Sequence, residues 1–95
     1  MTKKEAIERL KENGTIQLSN DDGIDCLEEL IAVGVNIELV KSALHQIDYL
    51  SCSIKYDREY HLGRELEKEE RKLRKHLEKF GVWSIGDDMY EYELV

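Results

Sequence analysis

One long uninterrupted amphipathic pattern constrains the fold of this chain more than any other feature. Between Ile54 and Phe80, apolar residues recur at helical spacing, and Gly81 follows as a stop signal. The sequence contains no proline, so nothing removes a backbone donor from such a helix. A helix over 54–80 would be a rod of roughly 40 Å, longer than the roughly 25–30 Å diameter of a compact domain. It must pack along another helix, project or pair with a second copy. The apolar stripe contains Leu62, Leu66, Leu73, Leu77 and Phe80.

Both ends of the chain carry signals for further elements. Thr2 and Glu5 form a capping box for a first helix, which ends at Gly14. Residues 15–19 alternate in polarity and predict a short strand. Residues 82–95 alternate around a turn and predict a hairpin, with Tyr90, Tyr92 and Leu94 on one face and the glutamates opposite.

Two more helices are predicted in the middle. The polar turn 20–23 is expected to cap helix 2, which stops at Gly34. Asn36 caps helix 3, which continues to Leu50. Residues 51–53 are the weakest helical stretch, and helices 3 and 4 are either separate or continuous there. The order predicts a single α+β domain over 1–95, mostly helical, with four helices, the last one long. A small antiparallel sheet joins the N-terminal strand to the C-terminal hairpin.

Composition narrows the class of protein. Ninety-five residues, 41% hydrophobic and 37% charged, suit a thin core wrapped by solvated helices and leave little room for a cofactor site. No run of eighteen apolar residues is present, and residues 1–5 lack the apolar stretch of a secretory signal, so we expect a cytoplasmic protein. In a reducing compartment, Cys26 and Cys52 would remain thiols.

A line of basic residues lies opposite the leucines of the last helix. Residues 55–79 carry nine basic and seven acidic side chains, whereas the rest of the chain carries five and fourteen. Like charges stacked one turn apart, such as Lys75 and Lys79, repel by a few tenths of a kcal/mol, which an acidic partner would relieve. A solvated helix face is the alternative interpretation. The basic stripe comprises Arg64, Lys68, Arg71, Lys75 and Lys79.

Carboxylates collect around helix 2 and on the hairpin. Alternate residues of a strand lie roughly 6.7 Å apart, a spacing with which glutamates can imitate phosphates along a nucleic-acid strand. Helix N-terminal charge and a solvated edge strand explain the same residues without a partner. The cluster around helix 2 comprises Asp21, Asp22, Asp25, Glu28 and Glu29, and the acidic hairpin patch comprises Asp87, Asp88, Glu91 and Glu93.

Residues 34–36, Gly-Val-Asn, stand between two helical patterns, with Leu30 before them and Val40 after them. This resembles the helix-turn-helix motif over about residues 24–47, and the element order resembles a winged helix with a long helix inserted. The resemblance implies a DNA-binding transcriptional regulator. Leu30 stands where a small residue is usual, and Glu38 opens the recognition helix, so we expect no specific duplex binding at physiological salt. The implied DNA-reading residues are Lys41, Ser42, His45 and Gln46.

Metal and catalytic patterns fail on spacing. Residues 20–23 give half of a calcium loop, but Leu18 occupies its first ligand position, which needs an oxygen atom. His45, His61 and His76 have no zinc-ligand spacing among themselves or with the cysteines. We therefore predict no metal, no cofactor and no catalytic residue.

The sequence predicts a small acidic non-catalytic binding protein, an inhibitor or adaptor with a protein or nucleoprotein partner and no membrane. A phage-encoded inhibitor of host or defence machinery, such as an anti-CRISPR-like protein, fits the size and acidity. A helix-turn-helix regulator is the alternative. A homodimer is favoured over a monomer, because helix 3 as predicted covers only part of the leucine stripe.

Overall fold

The computed structural model describes residues 1–19, 23–57, 60–85 and 90–95. These residues form four helices and four strands, which confirms the predicted α+β class with a C-terminal hairpin. The elements in order are α1 (Lys3–Asn13), β1 (Ile16–Ser19), β2 (Gly23–Ile24), α2 (Leu27–Val33), α3 (Ile37–Asp57), α4 (Tyr60–Glu78), β3 (Val82–Ser84) and β4 (Glu91–Leu94).

The sheet has the strand order β2-β1-β4-β3, and all neighbours are antiparallel. Ile16 of β1 lies opposite Tyr92 of β4, so the N-terminal strand joins the C-terminal hairpin as predicted. Ile16 and Tyr92 are fully buried, whereas Gln17 and Glu93 are exposed. The sheet therefore packs one face on the helices and leaves the other in solvent.

The core is built from one apolar stripe of each helix and the inner face of the sheet. Leu73 and Leu77 of α4 are fully buried, as the leucine pattern predicts. In the described part of the chain, every buried residue is apolar or tyrosine. The cluster contains Ala6, Leu10, Ile16, Leu18, Leu30, Val33, Val35, Val40, Ala43, Leu44, Ile47, Leu73, Leu77, Val82 and Tyr92.

Caps fix the ends of α1, α2 and α3. The backbone N–H of Glu5 donates to the Thr2 hydroxyl oxygen at 3.1 Å, and that of Leu39 donates to the Asn36 side-chain oxygen at 3.2 Å. Gly34 ends α2 with a φ of 104°, a left-handed conformation that glycine adopts without strain. The N–H of Val35 reaches back to the Leu30 carbonyl at 3.0 Å, which makes this end a Schellman motif.

The predicted helix 2 is wrong at its start. Residues 23 and 24 form β2, with Ile24 opposite Leu18, and α2 begins only at Leu27. The Asp25 N–H donates to the Gln17 carbonyl at 2.9 Å, so pairing with β1 continues past β2 and competes successfully with a longer helix. Cys26 precedes α2 in a left-handed conformation without a side-chain cap. The predicted capping residues 20–22 lie outside the described part of the chain.

The predicted helix over 54–80 is also wrong at both ends. The helix α3 continues through 51–53 to Asp57, and α4 ends at Glu78, so Lys79 and Phe80 lie in the turn that follows. The weak stretch 51–53 stays helical because α3 and α4 pack against each other more extensively than any other two elements. Among the described helices, none is long and apolar enough to cross a bilayer.

The two long helices form an antiparallel pair that gives the molecule its shape. The start of α3 meets the end of α4, where the Asn36 N–H donates to Nε2 of His76 at 2.9 Å. The extents of the molecule are 45 × 20 × 18 Å, and α3 alone spans about 31 Å. Leu50 is buried but lies outside the main core cluster, so the far half of the pair is held by helix–helix packing beyond the sheet.

Candidate interaction surfaces

The five residues of the basic stripe are all exposed, on the side of α4 away from its buried leucines. From Arg64 to Lys75 the stripe follows the helix axis for about 17 Å. Lys79 lies one residue beyond the end of α4 and extends the line into the turn. The stripe thus runs from the projecting half of the helix pair to the end next to the sheet.

In the described part of the chain, no carboxylate lies within salt-bridge distance of the cations of the stripe. Glu67 and Arg71 border the same shallow depression, so one side of the stripe has an acidic margin. The charge of the basic stripe is otherwise directed into solvent. This arrangement leaves the five cations accessible to a partner.

The acidic hairpin patch is described in part. Glu93 is exposed and Glu91 is half-buried on the solvent face of β4. Asp87 and Asp88 lie outside the described residues. Sequence reasoning missed the neighbour of these glutamates, Trp83, which lies opposite Glu93 in the sheet and is 47% exposed. The alternating pattern of this strand could have revealed that Trp83 is exposed, because the residue after a buried strand position such as Val82 points to the opposite face.

The acidic cluster around helix 2 does not form one free surface. Glu29 faces Arg9 at 3.8 Å between the nearest side-chain atoms. Asp25 is used inside the sheet, since its carboxylate accepts from the Gln17 N–H at 3.2 Å. Glu28 is exposed, while 21–22 lie outside the described residues. Structural roles therefore account for part of this charge.

The DNA-reading residues implied by the helix-turn-helix resemblance all lie on α3 and are exposed: Lys41, Ser42, His45 and Gln46. Glu38, also exposed, lies one turn before Ser42, so a carboxylate stands at the N-terminal end of this face. The preceding helix α2 has seven residues. The face is open to solvent but mixed in charge.

A cavity of about 310 Å³ opens between the β1–β2 hairpin, α2 and α3. This volume is at the lower end of the range of small-molecule sites. Lys41 supplies a cation at its border, a position that the sequence did not reveal because β2 was unexpected. The lining residues are Ser19, Gly23, Ile24, Leu27, Lys41 and Leu44.

His76 has a structural position at the joint between α3 and α4. Its Nε2 accepts the Asn36 N–H at 2.9 Å, and its ring meets Phe80 edge to face with centroids 5.3 Å apart. Partial burial lowers the pKa of His76, and the nearby Lys79 ammonium adds to this effect. A neutral imidazole is the form that can accept this hydrogen bond.

The cysteines are free thiols in different surroundings. Burial, followed by the charges of Glu29 and Asp25, raises the pKa of the half-buried Cys26, which disfavours its reactive thiolate. Cys52 is exposed on α3. Across the described residues, no three His, Cys, Asp or Glu side chains converge as metal ligands. The side chain of His61 lies outside that description.

The comparisons with known proteins add no relative: no protein-family model matches the chain, and no curated protein or solved structure matches it significantly. The class of protein that the fold itself defines is a small α+β domain with a projecting pair of helices.

Proposed function

We propose that this chain is a non-catalytic binding protein, an inhibitor or adaptor that uses the basic stripe on α4 to hold an acidic surface of a protein or nucleoprotein partner. One observation carries the proposal: four exposed cations lie in a line on α4, exposed Lys79 follows in the turn after it, and no described carboxylate forms a salt bridge with them. Such a line is repulsive by itself, and an oppositely charged partner offsets the repulsion.

The shape of the molecule supports the same function. Arg64 and Lys68 lie toward the far half of the helix pair, away from the sheet and its glutamates. A projecting arm can enter a groove of a larger partner while the rest of an acidic domain stays outside. A phage-encoded inhibitor of host or defence machinery, of the anti-CRISPR-like kind, is the class of protein that this proposal favours, with a cytoplasmic place of action.

The direct test is affinity capture from a bacterial lysate, with and without nuclease treatment, using the tagged protein and its triple variant Arg71→Glu, Lys75→Glu, Lys79→Glu. These three residues are exposed and glutamate is a good helix former, so the circular dichroism spectrum should not change. We expect partner affinity to fall by more than tenfold, or about 1.4 kcal/mol.

A matched control changes the same number of charges elsewhere. Lys3, Lys4 and Lys11 are exposed on α1, and their reversal to glutamate gives the same net charge as the stripe variant. We expect this control to retain its partner within about twofold. If both variants lose the partner equally, net charge rather than the stripe controls binding, and the proposal is wrong.

The alternative function is a helix-turn-helix regulator, which is favoured by the exposure of the DNA-reading candidates on α3. Lys41 provides the discriminating variant, because it is the one cation among those four residues. A gel shift with submicromolar affinity for a specific duplex at physiological salt, abolished by Lys41→Glu, would establish this alternative over the first.

The homodimer also remains a prediction, with less structural motivation than the sequence suggested. The helix α3 has 21 residues instead of the expected fourteen or so, and it covers more of α4. Leu73 and Leu77 are fully buried within one chain, whereas Leu62 and Leu66 are half-buried and could still face a second copy. Light scattering that reports a monomer at concentrations up to about a millimolar would exclude the dimer.

A further inference from the structure

The cavity between the β1–β2 hairpin, α2 and α3 has an apolar floor and, among its described lining residues, one cation. Leu44 of α3 is 1% exposed, Ile24 of β2 is half-buried, and Leu27 at the start of α2 is 37% exposed. Lys41 is exposed and precedes Leu44 by about one helical turn on the same side of α3. Burial therefore decreases from a floor at Leu44 to a mouth at Leu27 and Lys41.

The charge at this mouth is positive. The described lining residues include no carboxylate, and the Lys41 ammonium group forms no hydrogen bond or salt bridge in the described part of the chain. Glu38, one turn earlier on α3, is exposed and does not line the cavity. The Asp25 carboxylate is bonded to the Gln17 N–H at 3.2 Å within the sheet. The ammonium group is therefore available to an anion that enters the cavity.

We propose that this cavity binds a small amphipathic carboxylate, such as a medium-chain fatty acid. Its apolar chain would lie against Ile24, Leu27 and Leu44, and its carboxylate would meet the Lys41 ammonium group. Apolar contact provides most of the affinity of small-molecule sites, while a few placed polar groups fix the orientation. The volume of about 310 Å³ is at the lower end of the range of such sites, which favours a ligand smaller than a drug-sized molecule.

Other occupants fit this cavity less well. Phosphate groups are bound by several donors at once, whereas the described lining offers one cation among mostly apolar side chains. A stable dimer needs about 800 Å² of surface from each partner, and α3 beside Lys41 presents exposed polar residues that include Glu38, Ser42 and His45. A small ligand needs only the cavity itself. No residue of the basic stripe lines the cavity, so this inference does not rest on the proposed function.

The first test uses the unaltered chain and three probes. Octanoate, kept below its micelle concentration, is titrated against the isotope-labelled protein while amide NMR shifts are recorded. We expect saturable shifts with a Kd below about a millimolar, largest at the backbone amides of Gly23, Ile24 and Lys41. Butyrate keeps the carboxylate on a shorter chain and should bind more than about tenfold more weakly. Octylammonium keeps the chain but reverses the charge, and it should bind about fivefold or more weakly.

Two variants test the residues at the mouth. Lys41→Met keeps a long side chain without its charge, so octanoate should bind about fivefold or more weakly and lose its advantage over octylammonium. Leu27→Trp places a larger ring at a position that is 37% exposed, so it should block the cavity and leave the core intact. Lys72→Met, an exposed lysine of α4, is the matched charge control and should change octanoate binding by less than about twofold.

Four results would overturn the proposal. The first is no saturable shift with octanoate up to about a millimolar. The second is binding of butyrate or octylammonium as tight as that of octanoate, a comparison that holds even if Leu27→Trp fails to fold. The third is unchanged octanoate binding by a folded Leu27→Trp variant, which would place the ligand elsewhere. The fourth is a dimer in light scattering that octanoate dissociates, because the cavity would then belong to the contact with a second copy.

Discussion

Protonation of His76 is expected to weaken the joint between the two long helices. In the folded protein, Nε2 of His76 accepts the N–H of Asn36, the residue that caps α3. A protonated imidazole has no lone pair to accept with, so Nε2 would present a hydrogen to the Asn36 N–H. The hydrogen bond is then lost and its donor must turn to water.

The size of the effect follows from this one bond. Leaving a buried donor unsatisfied costs about 1–3 kcal/mol; Asn36 is exposed and water can reach its N–H, so the cost here is at the low end, about 1 kcal/mol. Two helix termini act on the charge in opposite directions: the C-terminus of α4 favours a cation and the N-terminus of α3 disfavours it. The lost hydrogen bond therefore dominates. In a domain of this size, about 1 kcal/mol corresponds to about 4–8 °C in Tm.

The direction with pH follows from the lowered pKa of His76. Between the folded pKa and the unfolded value of about 6.5, the unfolded chain binds the proton more strongly, so folding stability decreases as the pH is lowered. The stabilising contribution is complete above about pH 6.5 and is lost as pH falls below it. We expect urea unfolding to show a smaller free energy at about pH 5.5 than at about pH 7.5, by about 1 kcal/mol.

Two variants isolate His76 from other titrating groups. His76→Gln provides an uncharged amide oxygen as a possible acceptor at both pH values, so its free energy of unfolding should change less with pH than that of the wild type. His45→Gln, on the exposed face of α3, should keep the wild-type dependence. If His76→Gln shows the same dependence as the wild type, the hydrogen bond to Asn36 does not couple stability to pH and the reasoning fails.

Two further predictions concern packing and the backbone. Gly34→Ala should destabilise the protein by about 1–2 kcal/mol, because φ is 104° there and a new Cβ would lie 3.2 Å from the Phe80 ring. Gly63→Ala, within α4 and next to open space, should instead stabilise it by about 0.5–1 kcal/mol. Thermal unfolding of both variants tests this, and equal effects would contradict the backbone argument. Leu73→Ala should lower the free energy of unfolding in urea by about 2–5 kcal/mol, because Leu73 is fully buried. Leu66→Ala should lower it clearly less, because Leu66 is half-buried. A reversed order would show that α4 is packed differently.

Much of the fold was predictable because its signals are local. The Thr2 cap and the end of helix 2 at Gly34 each need only a few neighbouring residues, and both predictions are confirmed. Alternation over 15–19 and 82–95 predicted the strands, since a half-buried strand has period two. The exposure of the basic stripe followed equally from helical periodicity, because the leucines had to face the core. Whether the stripe binds a partner remains a proposal.

The predictions were wrong where tertiary contacts stabilise one secondary structure by more than the small local preference for another. Residues 51–53 are weak helix formers by a few tenths of a kcal/mol each, and packing of α3 on α4 outweighs that preference. Ile24 fits either a helix or a strand by sequence, and pairing with Leu18 places it in β2. Both outcomes depend on contacts with residues in other segments of the chain, which the periodicity of one segment does not reveal.

The candidate surfaces were likewise predictable only in part. The sequence determined which residues are charged and which face of each helix or strand they occupy, because side-chain period and burial of apolar residues fix both. Only the tertiary structure decided that His76 meets Asn36, that Lys41 borders a cavity, and that Trp83 lies opposite Glu93 in the sheet. Sequence periodicity specifies a face but not what lies opposite it, since strand order and helix pairing are set by burial of the whole core.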